Sequence, residues 1–142
     1  MVVRTFIEND RQALRQVYYE SRRDTFQWLD AASLKLSDFD RDTIGESIWV
    51  AEFEGSIAGF VSVDRHDNFI HNLFVLTKCL DQGIGSLLLA TALANIGRPA
   101  RLKCVVENSR AISFYKAKGW IETGTGVSED GIFRPYKVTF AE

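Results

Sequence analysis

The sequence predicts a mixed α/β (α+β) fold, in which about four helices flank a central sheet of six or seven strands. Three observations support this class. Short apolar segments bounded by Gly, Asn and Asp predict strands. Other segments, such as 84–92, carry apolar residues at helical spacing, which predicts amphipathic helices. In the second half of the chain the two kinds of segment alternate, as they do in βαβ units.

Length and composition favour a single domain covering residues 1–142. The chain is 46% hydrophobic and 25% charged, and no Pro- or Gly-rich linker divides it. Its net charge of −2 provides no basic excess, so we expect no nucleic-acid partner. Cys79 and Cys104 form neither a disulfide framework nor a metal motif, and no apolar run approaches the roughly 20 residues of a membrane span. We therefore expect a cytoplasmic protein with no metal and no membrane partner.

The first elements are a strand and a helix. Residues 2–6 predict a short strand, and Glu8-Asn9-Asp10 is typical of a helix start. Apolar residues then recur at helical spacing, which predicts a first helix over about 10–21. Segment 26–39 mixes aromatic residues and leucines with Asp and Ser, and it predicts one or two short helices in an irregular connection.

Three antiparallel strands are predicted next, joined by polar turns. They cover residues 48–53, 57–63 and 69–76. Glu54-Gly55 forms the turn of the first hairpin. A helix over 83–95 then leads to a strand over 100–106, and we expect this strand to run parallel to 69–76 through a right-handed crossover.

The last third of the chain predicts a helix and two closing strands. Asn108 or Ser109 caps a helix that extends to Lys118, and Gly119 ends it. One closing strand starts at Trp120-Ile121, and the other covers 134–140.

The most informative local motif is Gly83-Ile84-Gly85-Ser86, which lies between a strand and a helix. Unpaired N–H groups at a helix N-terminus attract anions, and glycines allow a bulky anion to approach the backbone. The amides of residues 82–86, from Gln82 to Ser86, are thus a candidate phosphate site. A tight strand-to-helix turn explains the same glycines equally well. A dinucleotide fingerprint is excluded because Leu88 stands where a third glycine is needed, and no P-loop is present.

A second motif runs from Val106 to Trp120. Its distinctive residues are an asparagine, an alanine, an aromatic-tyrosine pair and a glycine-aromatic pair: Asn108, Ala111, Phe114, Tyr115, Gly119 and Trp120. Together with Gly83 and Gly85, this segment resembles the GNAT superfamily, the acetyl-CoA-dependent N-acetyltransferases. The order of elements agrees along almost the whole chain, and the motif matches cover about residues 69–120.

The resemblance implies a GNAT-like fold in which acetyl-CoA lies where two parallel strands, here 69–76 and 100–106, splay apart. The backbone of Leu73, Phe74 and Val75 would pair with the pantetheine arm, and one N–H there would stabilise the developing oxyanion. The loop Gln82, Gly83, Ile84, Gly85 and Ser86 would hold the pyrophosphate. The chain departs from the family at Leu80, which occupies the Gln/Arg position of the family loop. We therefore expect pyrophosphate contacts that are weaker or differently shared.

The resemblance also implies the catalytic groups. Tyr115 would protonate the departing thiolate, because a phenol has a higher pKa than a thiol; the alternative is a core tyrosine beside Phe114. Asn108 would contact the cofactor, or only cap its helix. His71 titrates near neutrality and is the candidate base for the amine, although a histidine held in place by hydrogen bonds is the simpler explanation. Asn72 would only orient water, and His66 and His71 do not form a metal motif.

The acceptor would be a primary amine of a small molecule or peptide. Six acidic residues and two aromatic ones in the first helices are candidates for a cation-binding pocket: Glu20, Asp24, Asp30, Asp38, Asp40 and Asp42, with Tyr19 and Trp28. A solvated helix face explains these charges as well, and Arg22, Arg23 and Arg41 interrupt them. The C-terminal strands are a candidate homodimer surface.

Two other functions fit parts of the sequence. The first is a catalytically silent acyl-CoA-binding or regulatory domain of the same fold, although such a domain has no need of Tyr115. The second is a nucleotide-binding α/β domain that uses only the glycine loop. The latter lacks an acidic residue about 20 positions beyond the loop, where Lys103 stands.

Overall fold

The computed structural model describes residues 1–27, 30–128 and 131–138, which form a mixed sheet with helices on both faces. In these ranges it contains eight strands, namely β1 (Val2–Thr5), β2 (Ser47–Phe53), β3 (Ser56–Asp64), β4 (Phe69–Val75), β5 (Ala100–Val105), β6 (Ile121–Glu122), β7 (Gly126–Ser128) and β8 (Gly131–Val138). The same ranges contain four α-helices, namely α1 (Arg11–Thr25), α2 (Asp38–Asp42), α3 (Ile84–Ala94) and α4 (Ser109–Ala117).

The strand order is β1-β2-β3-β4-β5-β8-β6, with β7 paired to β8. The pair β4–β5 is parallel and the other pairs are antiparallel, so the predicted mixed sheet and its parallel pair are confirmed. The prediction of six or seven strands was slightly low. It missed β7, a segment of three residues with no apolar alternation to mark it. The last strand begins at Gly131, before the predicted start at 134, and its predicted end at 139–140 lies outside the described residues.

The first helix is longer than the prediction of about 10–21. It continues to Thr25 because Arg22, a residue that ends the apolar spacing in the sequence, is buried in the structure. The Arg22 guanidinium lies 3.8 Å from the centre of the Tyr18 ring and donates to Asp38 Oδ2 at 3.2 Å. A buried ion pair therefore replaces the apolar contact on which the sequence argument relied. The short helices predicted within 26–39 are confirmed as a 3₁₀ turn at Ala31–Ser33 and the start of α2; Trp28 and Leu29 lie outside the described residues.

The hairpin β2–β3 turns at Glu54-Gly55, as predicted. Both residues have positive φ, +53° and +82°, which is the backbone of the turns that suit the twist of a hairpin. Farther along β3, Gly59 faces Val75 of β4. A Cβ at Gly59 would lie 2.5 Å from the carbonyl oxygen of Phe74, so only glycine allows the two strands to pair this closely.

Two apolar clusters occupy the two faces of the sheet. One lies beneath α3 and α4 and includes Ile84, Leu88, Leu102 and Tyr115. The other lies beneath α1 and α2 and is built around a group of edge-to-face aromatic rings: Tyr18, Phe39, Phe60 and Phe74. Each cluster anchors its helices to the sheet, and both reach β4, the strand that borders the candidate site.

Within the described ranges, no helix is both long and apolar enough to cross a membrane.

Candidate active site

The strands β4 and β5 pair over only a short distance. Their register joins Phe69 to Arg101 and Ile70 to Leu102, and it goes no further. On the other side of β4, Ser62 pairs with Asn72 and the next residue, Val63, pairs with Ile70, so His71 is an extra residue in a β-bulge. A bulge bends its strand and increases the local twist. The bend at His71 thus coincides with the point at which β4 leaves β5.

Among the described residues, no strand pairs with the β5-facing edge of β4 beyond Ile70. Leu76 donates its N–H to Ala58 of β3 at 2.8 Å, and N–H groups alternate in direction along an antiparallel strand. The N–H groups of Leu73 and Val75 therefore point away from β3, into the gap between β4 and β5. This edge can pair with an extended ligand as a further strand would.

The glycine loop turns through a left-handed residue directly before α3. Gly83 has φ +80° and is the residue before α3, whose first intrahelical hydrogen bond runs from Leu87 N–H to the Gly83 carbonyl at 3.1 Å. At Gly85 a Cβ would lie 3.7 Å from Phe114, an ordinary contact, so packing within the protein does not demand glycine there. The loop thus leaves open space in front of the N–H groups that begin α3.

A first cavity, of about 290 Å³, lies between this loop, the end of β4 and helix α4. It is lined by Leu73, Phe74, Val75, Gly83, Ile84, Gly85, Ser86, Asn108 and Tyr115, all of them predicted site residues. Its other lining residues are Thr25, Cys79, Leu80, Asp81, Arg110, Ala111 and Phe114. The cavity therefore joins two motifs that are separated in the sequence, 83–86 and 106–120. Gln82 is exposed and lines a different cavity beside Glu54 and Lys78.

A second cavity, of about 470 Å³, lies on the α1–α2 side of the same gap. It follows β4 from Ile70 to Phe74 and β5 from Leu102 to Val105, and side chains of α1 and α2 close it. Five residues line both cavities: Leu73, Phe74, Asn108, Ala111 and Tyr115. The gap between the strands thus connects two spaces, one beside the glycine loop and one beside the first helices.

Tyr115 is buried at this junction, with 7% of its surface exposed. Its ring packs edge-to-face against Phe114 and Trp120. Burial raises the pKa of Tyr115, and the neighbouring Cys104 adds to the rise. Burial also raises the pKa of the Cys104 thiol, to about 11. Both groups are consequently protonated at neutral pH, and the phenol can donate a proton.

Asn108 was expected to contact the cofactor or only to cap its helix, and the structure shows the cap. Its side-chain oxygen accepts a hydrogen bond from the Ala111 N–H at 3.2 Å, which confirms that it caps α4. Asn108 also lines both cavities.

His71 lines the second cavity and is about half exposed. Its Nδ1–H donates to Glu46 Oε2 at 2.7 Å, and the Glu46 side chain is only 9% exposed. This hydrogen bond raises the pKa of His71 in spite of the opposing effect of burial, and the charges of Glu46, Asp42 and Asp64 contribute. The other ring nitrogen, Nε2, is left to act as a proton acceptor. Asn72 has a structural contact: its amide donates to Ser62 Oγ at 2.8 Å.

Of the six acidic residues proposed for the acceptor, Asp38 and Asp42 line the second cavity. Asp38 pairs with Arg22, and Asp42 accepts from the Tyr18 hydroxyl at 2.6 Å and from Arg41 at 2.8 Å. Burial acts to raise the pKa of Asp42, but the bonds from Arg41 and Tyr18 lower it overall. The other four acids are elsewhere, with Asp40 bound to Arg11 and Arg15, for example. Trp28 lies outside the described residues.

Several charged residues beside the site were not predicted from the sequence, Glu46 and Arg110 among them. Glu46 lies 25 positions before His71, and no local pattern connects them. Arg110 lines the first cavity from α4 and lies inside the second motif, at a position that the family pattern leaves unspecified. Because Arg110 follows Asn108 so closely, the sequence could have indicated that this basic residue also lies at the site.

Comparisons with known proteins agree with this geometry. The model of the acetyltransferase (GNAT) domain matches residues 31–140, well over half of the chain. No curated protein matches the sequence.

Solved structures share the fold over nearly the full chain. YjaB of Escherichia coli, in its apo form, superposes with a TM-score of 0.81 at 23% identity, covering 99% of this chain and 100% of its own. The yncA protein of Salmonella typhimurium, solved with its cofactor acetyl-CoA, has a TM-score of 0.75 at 17% identity, covering 100% and 95%. The ribosomal-protein-alanine N-acetyltransferase of Brucella melitensis has a TM-score of 0.74 at 19% identity, covering 99% and 100%. With the domain match, the splayed strands and the glycine loop, the chain belongs to the GNAT acetyltransferase family.

Proposed function

We propose that this chain, as one N-acetyltransferase domain over residues 1–142, transfers an acetyl group from acetyl-CoA to a primary amine of a small molecule or peptide. The observation that carries the proposal is the gap between β4 and β5, which joins two cavities with Tyr115 lining both. One cavity suits the acyl donor and the other suits the acceptor. The acetyl-CoA in the Salmonella relative, which has the same fold, supports the choice of donor.

The residues of the first cavity fit the parts of acetyl-CoA. The exposed edge of β4 at Leu73, Phe74 and Val75 would pair with the amides of the pantetheine arm. The amides from Gly83 to Ser86 would bind the pyrophosphate, with Gln82 flanking them and Asn108 facing the arm from α4. The thioester supplies an activated acyl carbon, and an N–H of β4 would bond its carbonyl oxygen as negative charge develops there.

Tyr115 would act as the general acid. In a direct attack within a ternary complex, the N–C bond forms as the C–S bond breaks, and the sulfur leaves with an electron pair. Tyr115 would donate its phenolic proton to that sulfur as negative charge develops there; the raised pKa keeps the phenol protonated until then and also makes it a weaker acid.

His71 would act as the general base. The amine must lose a proton to attack, and His71 lies in the second cavity with Nε2 directed away from Glu46. A carboxylate on the far ring nitrogen fixes the tautomer and increases the basicity of the near one. The proton from the amine would pass to Nε2, directly or through one water.

The test is thiol release from acetyl-CoA measured against a library of primary amines, alongside calorimetric titration of acetyl-CoA. We expect micromolar to millimolar binding and amine-dependent thiol release, in the usual range for such enzymes. Binding without thiol release for any amine would instead identify a silent acyl-CoA-binding domain. The absence of any binding would overturn the proposal.

A further inference from the structure

The first cavity contains one cationic and one anionic side chain among its described lining residues, and the two are paired with each other. Arg110 Nη2, on α4, donates to Asp81 Oδ1, in the glycine loop, at 2.7 Å. Both side chains are well exposed, 59% for Arg110 and 82% for Asp81. The pair therefore spans the mouth of the cavity beside the N-terminus of α3.

The loop itself carries an apolar side chain at the position where the family pattern has Gln or Arg. Leu80 occupies the Gln/Arg position of the loop motif and cannot bond a phosphate oxygen. A diphosphate carries two negative charges, which backbone amides neutralise only in part. A guanidinium can bond two phosphate oxygens at once, with hydrogen bonds about twice as strong as neutral ones.

We propose that Arg110 is the diphosphate ligand of this chain and replaces the side chain that Leu80 cannot supply. This inference rests on the proposed use of acetyl-CoA. On binding, Arg110 exchanges the Asp81 carboxylate for the phosphate oxygens, while Asp81 remains beside the diphosphate as a competing anion. The exchange costs little free energy, because an ion pair between exposed side chains is only weakly stabilising in water.

The backbone at Asp81 makes a clean test of the competing anion possible. Asp81 has φ +65°, in the left-handed region, where asparagine is accepted as readily as aspartate. Asp81→Asn thus removes the negative charge and keeps the shape and turn. We expect this variant to bind CoA several-fold more tightly than the wild type, since it removes a competing ion pair of up to about 1 kcal/mol.

The main experiment measures the Kd of CoA by calorimetry for the wild type, Arg110→Ala and Lys116→Ala. Lys116 is exposed on the same helix and does not line the cavity, so its variant makes the same change in net charge elsewhere. We expect Arg110→Ala to weaken CoA binding roughly 10- to 100-fold, the range for a lost charge-assisted hydrogen bond, and Lys116→Ala to have little effect.

A second arm uses acetyl-pantetheine, which lacks the diphosphate and the nucleotide. The kcat/KM of Arg110→Ala with this donor should equal that of the wild type, with melting temperatures confirming that the variants fold. The inference would be overturned if Arg110→Ala bound CoA as tightly as Lys116→Ala does. It would also be overturned if Arg110→Ala lost as much turnover with acetyl-pantetheine as it loses affinity for CoA. If Asp81→Asn bound CoA no more tightly than the wild type, the proposal that Arg110 leaves Asp81 for the diphosphate would be contradicted. A wild type that does not bind acetyl-CoA would instead contradict the proposed function.

Discussion

The Nδ1 atom of His71 lies 2.7 Å from Oε2 of Glu46, and this bond joins a half-exposed imidazole to a carboxylate that is almost fully buried. The bond raises the pKa of His71, with Asp42 and Asp64 as further nearby anions. A base must be unprotonated to accept a proton, so the raised pKa moves the acid limb of the rate profile to higher pH.

Replacing Glu46 by Gln should therefore lower the pKa of His71 and move the acid limb of kcat/KM to lower pH. His71→Gln should remove that limb and lower the plateau by about 10²-fold or more, the contribution of a general base. The measurement is kcat/KM against pH, with the imidazole titration followed by NMR as a second readout. An acid limb that does not move in Glu46→Gln would show that His71 is not the base.

The same hydrogen bond also makes the folding stability of the protein depend on pH. The folded-state pKa of His71 is raised, so the bond contributes its full stability below the unfolded value of about 6.5 and loses it as pH rises through the folded pKa. Glu46→Gln should consequently be more destabilising in mildly acidic than in alkaline solution. Urea unfolding on both sides of neutrality measures this difference.

Tyr115→Phe should lower kcat by roughly 10²-fold or more, within the range for a general acid, and leave the affinity for acetyl-CoA nearly unchanged. Phenylalanine keeps the edge-to-face contacts with Phe114 and Trp120 and removes only the hydroxyl. Tyr19→Phe is the matched control, because Tyr19 lines neither cavity. Wild-type turnover by Tyr115→Phe would exclude Tyr115 as the acid.

Gly59→Ala should destabilise the protein by about 1–3 kcal/mol, as overpacking does elsewhere. The new methyl group would lie 2.5 Å from the Phe74 carbonyl, so β3 and β4 would have to separate beside Phe74, a residue that lines both cavities. Gly85→Ala is the contrasting variant, because its methyl group meets Phe114 at 3.7 Å in a helix that alanine favours. Unfolding titrations that show equal losses for the two variants would contradict this explanation.

Local signals account for what the sequence predicted correctly. Helical spacing, the cap at Asn108, the turn at Glu54-Gly55 and the glycine at position 83 each depend on residues within a few positions of one another. The first cavity was largely predictable for the same reason, since two local motifs supply most of its lining.

Features that depend on long-range pairing were not predictable. The bulge that sets His71 apart arises from the register of β4 against Ser62 and Val63, and the partner of His71, Glu46, belongs to another element. A charged residue likewise reads as solvent-exposed in a sequence, although Arg22 is buried. Such contacts exist only once the sheet and α1 have formed.

The ion pair between Arg22 and Asp38 is buried, whereas the ion pairs of Asp40 on the same short helix are partly exposed. Asp38 accepts two hydrogen bonds from Arg22 at 3.2 Å and one from the Lys35 N–H at 2.9 Å. Asp38→Ala leaves a guanidinium buried without its carboxylate, so a loss of about 3–5 kcal/mol is expected.

Asp40→Ala, two residues away, removes the partly exposed pairs with Arg11 and Arg15 and should cost about 1 kcal/mol or less. The free energies of unfolding of the two variants in urea, measured at the same pH and salt concentration, make the comparison. Because both variants lose one aspartate from α2, net charge changes equally, and the difference reports the buried contacts of Asp38 with Arg22 and with the Lys35 N–H. Equal losses would mean that solvent reaches Arg22 and that its pairing with Asp38 does not hold α1 against α2.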